Sequence, residues 1–190
     1  MGKIVISTNT TLDGVVQDPD GQEGFQLGGW FRQFGGKDLE PWTKDMTQEA
    51  LGAAALLLGR RSDEWFAERW PIRSGEFADR LNSLPKYVVS STIEHAHWTN
   101  ATVVKGDVIK QISNLKQRVE GDILVYASYH LVRTLLEHDL VDELRLFVFP
   151  VVLGAGARVF DGVSHTKRMS LRDTRAVGDD ILFFAYEFVE

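Results

Sequence analysis

The chain has 190 residues, 44% hydrophobic and 25% charged, the balance of one globular domain with a sizeable core and not of a disordered or fibrous chain. Lys and Arg number 21 against 27 Asp and Glu, a formal charge of −6, so nucleic acid, which needs a broad basic face, is not an expected partner. Without cysteine there is no disulfide or thiolate chemistry, and no apolar run approaches the roughly 20 residues that span a bilayer.

The start, Met1 to Ile6, turns polar at Ser7 without a small-residue cleavage site, and Ile6 stands where a myristoylation signal wants Ser or Thr. A cytoplasmic protein is expected. The first predicted strand is Lys3 to Asn9, with Ile4 and Ile6 on one face and Val5 on the other, a pattern of burial on both sides. Thr10 to Trp42 is rich in turn residues and reads as one long loop, with Asp18-Pro-Asp-Gly21 a turn that lacks the further oxygens of a calcium site. A helix is predicted from about Lys44 to Ala54, then a strand Ala55 to Leu58, then a helix Arg60 to Glu68 stopped by Pro71.

Lys86 to Ser90 and Thr102 to Lys105 read as strands. Asp107 caps a predicted helix in which Val108, Ile112, Leu115 and Val119 recur at helical spacing. Asp122 to Tyr126 is a strand, Ser128 a cap for the next helix, and Glu143 to Phe149 another strand. Met169 to Val177 and Ile181 to Val189 form a hairpin across Gly178-Asp-Asp180. Strands alternating with helices make a largely parallel sheet, so the expected fold is α/β: a mixed sheet of about eight strands, flanked by helices and closed by an antiparallel hairpin. Such sheets bind ligands at the carboxyl ends of their strands.

Three strand ends carry candidate chemistry. At Gly59-Arg60-Arg61-Ser62 a helix start and two guanidiniums suit a phosphate; equally, the turn is tight and its arginines pair with surface carboxylates. Ala127-Ser128 offers small residues under a helix N-terminus, which is also how an ordinary helix begins. Ser90-Ser91-Thr92 places three hydroxyls in a row, fit for phosphate or ribose and equally for filling a turn. Gly154-Ala-Gly156 lacks a third glycine and a following helix and reads as a structural loop; His95 and His97 read as a loop pair without further metal ligands.

Taken in order, Ser7 to Gly14, Leu56 to Ser62 with Trp70-Pro71, Pro85 to Ser90, Leu140 to Leu146 and Pro150 to Gly156 resemble the dihydrofolate-reductase-like superfamily. The resemblance is to the branch containing the reductase domain of bifunctional riboflavin-biosynthesis deaminase–reductases, and it spans the chain as one domain, residues 1–190. It implies a reductase that moves a hydride from NADPH, or NADH, to a C=N or C=O of a small pterin- or pyrimidine-like heterocycle, as dihydrofolate reductase or aminouracil reductase does. By the same resemblance Gly59, Arg60, Arg61 and Ser62 meet cofactor phosphates, Ser90, Ser91 and Thr92 lie beside the adenosine 2′-phosphate, and Ala127 with Ser128 underlies the pyrophosphate. Ser91 stands where the family commonly has Arg, and Ala127 where glycine is usual.

Asp13 matches the family's Leu-Asp-Gly segment and is the candidate for substrate binding or proton relay. Asp45 falls roughly where folate enzymes keep a pterin-binding carboxylate, and is also a routine helix stabiliser. Trp30, Phe31 and Trp42 are candidates for stacking on a flat substrate or for the core. A homodimer is expected, because the last strand carries aromatics on both faces in Phe183, Phe184, Tyr186 and Phe188. The rival reading is a non-catalytic nucleotide- or pterin-binding protein that keeps the fold alone.

Overall fold

The computed structural model describes residues 1–189. Its elements are β1 (Lys3–Thr11), α1 (Trp30–Gly35), a short 3-10 turn, α2 (Leu39–Gly52), β2 (Ala53–Gly59), α3 (Arg60–Arg69), α4 (Glu76–Ser83), β3 (Lys86–Val89) and β4 (Ala101–Val104). There follow α5 (Val108–Arg118), β5 (Asp122–Tyr126), α6 (Tyr129–Glu137), β6 (Glu143–Phe149), β7 (Met169–Val177) and β8 (Ile181–Phe188). The eight strands form one sheet in the order β4-β3-β2-β5-β1-β6-β8-β7. All pairings up to β6 are parallel, and β6–β8–β7 are antiparallel. This is the mixed eight-stranded sheet with a closing hairpin that the residue pattern predicts.

Two apolar clusters sandwich the sheet. Val5, Leu124 and Phe147 face α1 to α4, which contribute Trp30, Met46, Ala50, Phe66 and Leu81. Ile4, Ile6, Ile123 and Val125 face α5 and α6, which bury Ile112, Leu115, Leu131 and Leu135. Central strands therefore carry apolar residues on successive positions, as their sequences indicate.

Two stretches differ from expectation. The segment Thr10–Trp42 is not one loop, since it holds α1 and the start of α2. The six-residue α1 is bracketed by Gly29 and Gly36, both at positive φ, and has no side-chain cap. Burial of Trp30 holds it, so its own residues give no helix signal. The unexpected α4 likewise starts without a side-chain cap after Gly75 and is held by burying Ala78 and Leu81. Among the described residues no helix is long and apolar enough to cross a membrane.

Helices cover β8 along one face, and the other only at its end, where Phe188 packs against the α5–α6 cluster. Phe183 and Ala185 are buried against the α1–α4 layer, whereas Phe184 and Tyr186 are half-buried on the opposite face with Leu182 exposed beside them. Leu171 of β7, half exposed, pairs with Tyr186 and extends this apolar surface to the sheet edge.

Candidate functional site

A cleft of about 1180 Å³ opens at the carboxyl ends of β1, β2 and β5 and runs between the starts of α3 and α6 and the side of α2. It arises where the strand order reverses: the chain passes from β1 over the place later taken by β5 to β2, continues outward to β4, then returns to fill the gap. Loops diverging from neighbouring strands leave a crevice there.

Two strand-to-helix turns form one end of it. In the first, Gly59 has an ordinary φ of −81°, and an added Cβ would meet nothing closer than 3.9 Å. Neither backbone nor packing demands glycine at this position, which lines the cleft. In the second, Ala127 and Ser128 both adopt left-handed backbone, at φ 49° and 54°. Such conformations cost on the order of 1–3 kcal/mol each in residues other than glycine and cluster at ligand clamps.

The turns are tied to each other. The Gly59 N–H donates to the Ser128 hydroxyl at 3.0 Å, and the Ser128 N–H donates to the Ser62 hydroxyl at 3.0 Å. Ser128 thus precedes α6 without capping it through its side chain, contrary to expectation. Left-handed backbone directs its hydroxyl to the neighbouring strand instead of to its own helix. The result sets the N-termini of α3 and α6 side by side.

The arginine pair divides between the two readings open in the sequence. Arg60 takes Glu64 at 2.7 Å, an exposed i,i+4 pair. Arg61 makes no ion pair among the described residues and lines the cleft, as does Glu23, which feels its charge. Ser90, Ser91 and Thr92 lie just past Val89, where the cleft lining ends on that strand; the Ser90 and Thr92 hydroxyls are 3.2 Å apart and the loop is open to solvent.

Neither candidate acid faces this cleft. Asp13 accepts from the Thr11 hydroxyl at 2.6 Å and from the backbone N–H groups of Leu153 and Gly154 at 3.2 and 2.8 Å. Burial raises its pKa, but these three donors outweigh burial and bring it down to about 2. A carboxylate so held anchors the Leu153–Gly154 loop to the end of β1. Asp45 is ion-paired with Arg175 of β7 and lines a separate pocket of about 340 Å³ with Glu49 and Arg145. On α2 Leu39, Trp42, Thr43 and Met46 line the cleft, whereas Asp45, at the flank of that face, is drawn to Arg175.

The carboxylates lining the cleft are Asp18, Asp20 and Glu23, all from the loop after β1. Asp18 is spent on structure: it is buried and accepts from the N–H groups of Glu23 and Phe25. Glu23 stays exposed to solvent, and partial desolvation at the cleft raises it above its usual range; Arg61 opposes this, and Asp18 and Asp20 reinforce it. Of the three aromatic candidates, Phe31 and Trp42 line the cleft, their rings 4.8 Å apart, and the Trp42 indole N–H donates to Asn9. Trp30 is fully buried in the core.

Sequence reasoning missed a second aromatic wall, Trp65, Phe66, Trp70 and Phe77, together with Arg69 and Arg73. The i, i+4 spacing of Trp65 with Arg69 and of Phe66 with Trp70 was the available signal. The remaining motifs are structural. His97 hydrogen-bonds buried Asp63, and among the described residues no group of three or more potential ligands could hold a metal. Gly156, at φ 116°, is required because a Cβ there would meet Val15 at 2.8 Å.

Sheet order, hairpin and cleft together define a dihydrofolate-reductase-like α/β domain of the kind found in riboflavin-pathway reductases. The chain belongs to the RibD C-terminal domain family, whose model matches residues 2–183. Among curated proteins it is 23% identical over 191 residues to the uncharacterized protein YyaP of Bacillus subtilis, covering 98% of this chain and 95% of that one. A solved Shewanella protein, provisionally assigned to riboflavin biosynthesis, superposes with a TM-score of 0.75 at 18% identity over 99% of both chains. The Thermotoga maritima deaminase/aminouracil reductase superposes at 0.62 with 15% identity, over 99% of this chain but 57% of that longer one. At these identities the structural likenesses speak to the fold.

Proposed function

We propose that the protein is an NADPH-dependent reductase that transfers a hydride to a C=N or C=O of a small, flat, pterin- or pyrimidine-like substrate. The observation that carries this reading is the hydrogen-bonded pair of turns, which aims two helix N-termini at one end of the cleft. Helix N-termini favour anions, and two of them joined this way match the paired phosphates of a dinucleotide. Family membership supports the same class of cofactor.

The cofactor fits the residues present: a glycine at position 59 that lines the cleft, N–H groups at the starts of α3 and α6, and an Arg61 guanidinium without an ion pair among the described residues. Gly59, Ser62, Ala127 and Ser128 would hold the pyrophosphate, with Arg61 supplying charge and Arg60 assisting from its pair with Glu64. When bound, the reduced nicotinamide supplies the hydride. The chain's part is to hold donor and acceptor in line and to exclude water, to which Phe31 and Trp42 contribute an apolar wall. Glu23 replaces Asp13 and Asp45 as the candidate proton donor, because it lines the cleft and its proton is retained to higher pH than an ordinary glutamate's. We also infer a cytoplasmic homodimer joined through the less covered face of β8.

Calorimetric titration with NADPH tests the reading. A one-to-one complex with thermal stabilisation is expected, and no binding of either NADPH or NADH at millimolar concentration would remove it.

A further inference from the structure

Trp65, Phe66, Trp70 and Phe77 form one continuous wall, with neighbouring ring centroids 5.1 to 6.0 Å apart. All four line the cleft: Trp65 and Phe77 are half-buried, while Phe66 and Trp70 belong to the core and keep only 8% and 9% of their surface exposed. Two guanidiniums lie on this wall: Arg69 is 4.6 Å from the Trp65 ring and Arg73 is 4.6 Å from the Trp70 ring. Arg69 shares its charge with Glu68, whose side chain is 73% exposed and gives way readily to a ligand. Arg73 is exposed and makes no ion pair among the described residues. The cleft's three carboxylates all lie elsewhere, on the loop from Asp18 to Glu23.

This arrangement has a chemical reading. The half-buried rings of Trp65 and Phe77, backed by Phe66 and Trp70, gain by covering a flat apolar ring. Stacking on indole fixes a guanidinium plane while leaving N–H edges free to fork onto an oxyanion. A polyhydroxylated chain laid on the same wall would lose water from each hydroxyl without a replacement partner. We propose that the wall is a substrate subsite for a planar, hydrophobic aromatic group ending in an acidic oxyanion, held by Arg69 and Arg73. The inference deepens the reductase reading and rests on it for the word substrate; binding itself is measurable without turnover.

Naphthoate, naphthyl phosphate, neutral naphthalenemethanol and ribose phosphate are the probes, titrated calorimetrically into the intact protein with and without NADPH. Both aromatic anions should bind at least tenfold more tightly than the alcohol, and naphthyl phosphate at least tenfold more tightly than ribose phosphate. The ratio between naphthoate and naphthyl phosphate then tells which oxyanion the arginines prefer. The double variant Arg69→Ala/Arg73→Ala should lose the preference for anions yet keep its affinity for the alcohol; Arg73→Gln, a surface change, should lose part of it. Equal binding of alcohol and anions, sugar phosphate matching the aromatic anion, or preference surviving in both variants would each overturn the subsite. Selective binding of aromatic anions by a protein that ignores NADPH would instead remove the reductase reading and leave the subsite standing.

Discussion

The hydroxyl of Ser128 accepts the backbone N–H of Gly59, 69 residues earlier in the chain, and the Ser128 N–H returns the link to the Ser62 hydroxyl. Ser128→Ala leaves the Gly59 N–H without its partner, at a cost of about 1–2 kcal/mol. Ser62→Ala should cost a similar amount, and the double variant less than the sum, since both act on one network. Urea unfolding measures all three. Strict additivity would show that the turns are not joined as described.

Ala127 and Gly59 should respond in opposite ways. Relieving the left-handed strain at Ala127 by Ala127→Gly should stabilise the fold by about 1 kcal/mol and leave NADPH affinity unchanged or higher. Gly59→Ala finds room in the fold and should change stability by less than about 1 kcal/mol, while weakening NADPH at least tenfold because the methyl enters the ligand's space. Paired denaturation and calorimetry separate these effects. A Gly59→Ala variant that binds NADPH like the parent would move the pyrophosphate elsewhere.

Among the arginines, Arg61→Ala should weaken NADPH about tenfold and Arg60→Ala by less, because Arg60 is already paired with Glu64. With Ser91 where the family's arginine is usual, preference for NADPH over NADH should be about tenfold, and Ser91→Arg should increase it. Dissociation constants for both cofactors decide the point. No gain in Ser91→Arg would place the 2′-phosphate away from this loop.

Asp13 should reveal itself in acid. Its folded pKa of about 2 lies below the ordinary 3.8, so its stabilisation is fully present above pH 4 and is lost as pH falls through 2. Asp13→Asn should therefore cost about 2 kcal/mol at neutral pH and flatten the acid limb of the stability curve. Melting temperatures from pH 2 to 7 measure it, and a loss of affinity for NADPH without loss of stability would return Asp13 to the binding site.

The less covered face of β8 should close against a second copy. Light scattering at micromolar concentration is expected to give a dimer mass, and Phe184→Lys, which places a charge on that face, to give a monomer. A monomeric parent protein would end the proposal.

Local pattern was enough to read most of the fold. Both-face apolar runs such as Lys3–Asn9 and Asp122–Tyr126 have few other ways to be buried, and helical spacing from Val108 to Leu115 leaves one face to pack. The capping role of Asp107 was also legible, and its carboxylate does accept the Lys110 N–H. Because ligands of parallel sheets bind at strand ends, Gly59, Arg61 and Ala127 were legible as cleft residues too. Tertiary structure alone decided the rest. Asp13 and Asp45 look alike as acids in the sequence, but donors from Leu153 and Gly154 bind one and Arg175 pairs with the other, and all three lie more than a hundred residues away. Short α1 and α4 exist because their apolar side chains find the core, an energy that no local propensity records. Which arginine stays free, which hydroxyl bridges two turns and which aromatics share a wall depend on contacts between distant segments, and those form only when the sheet brings its strand ends together.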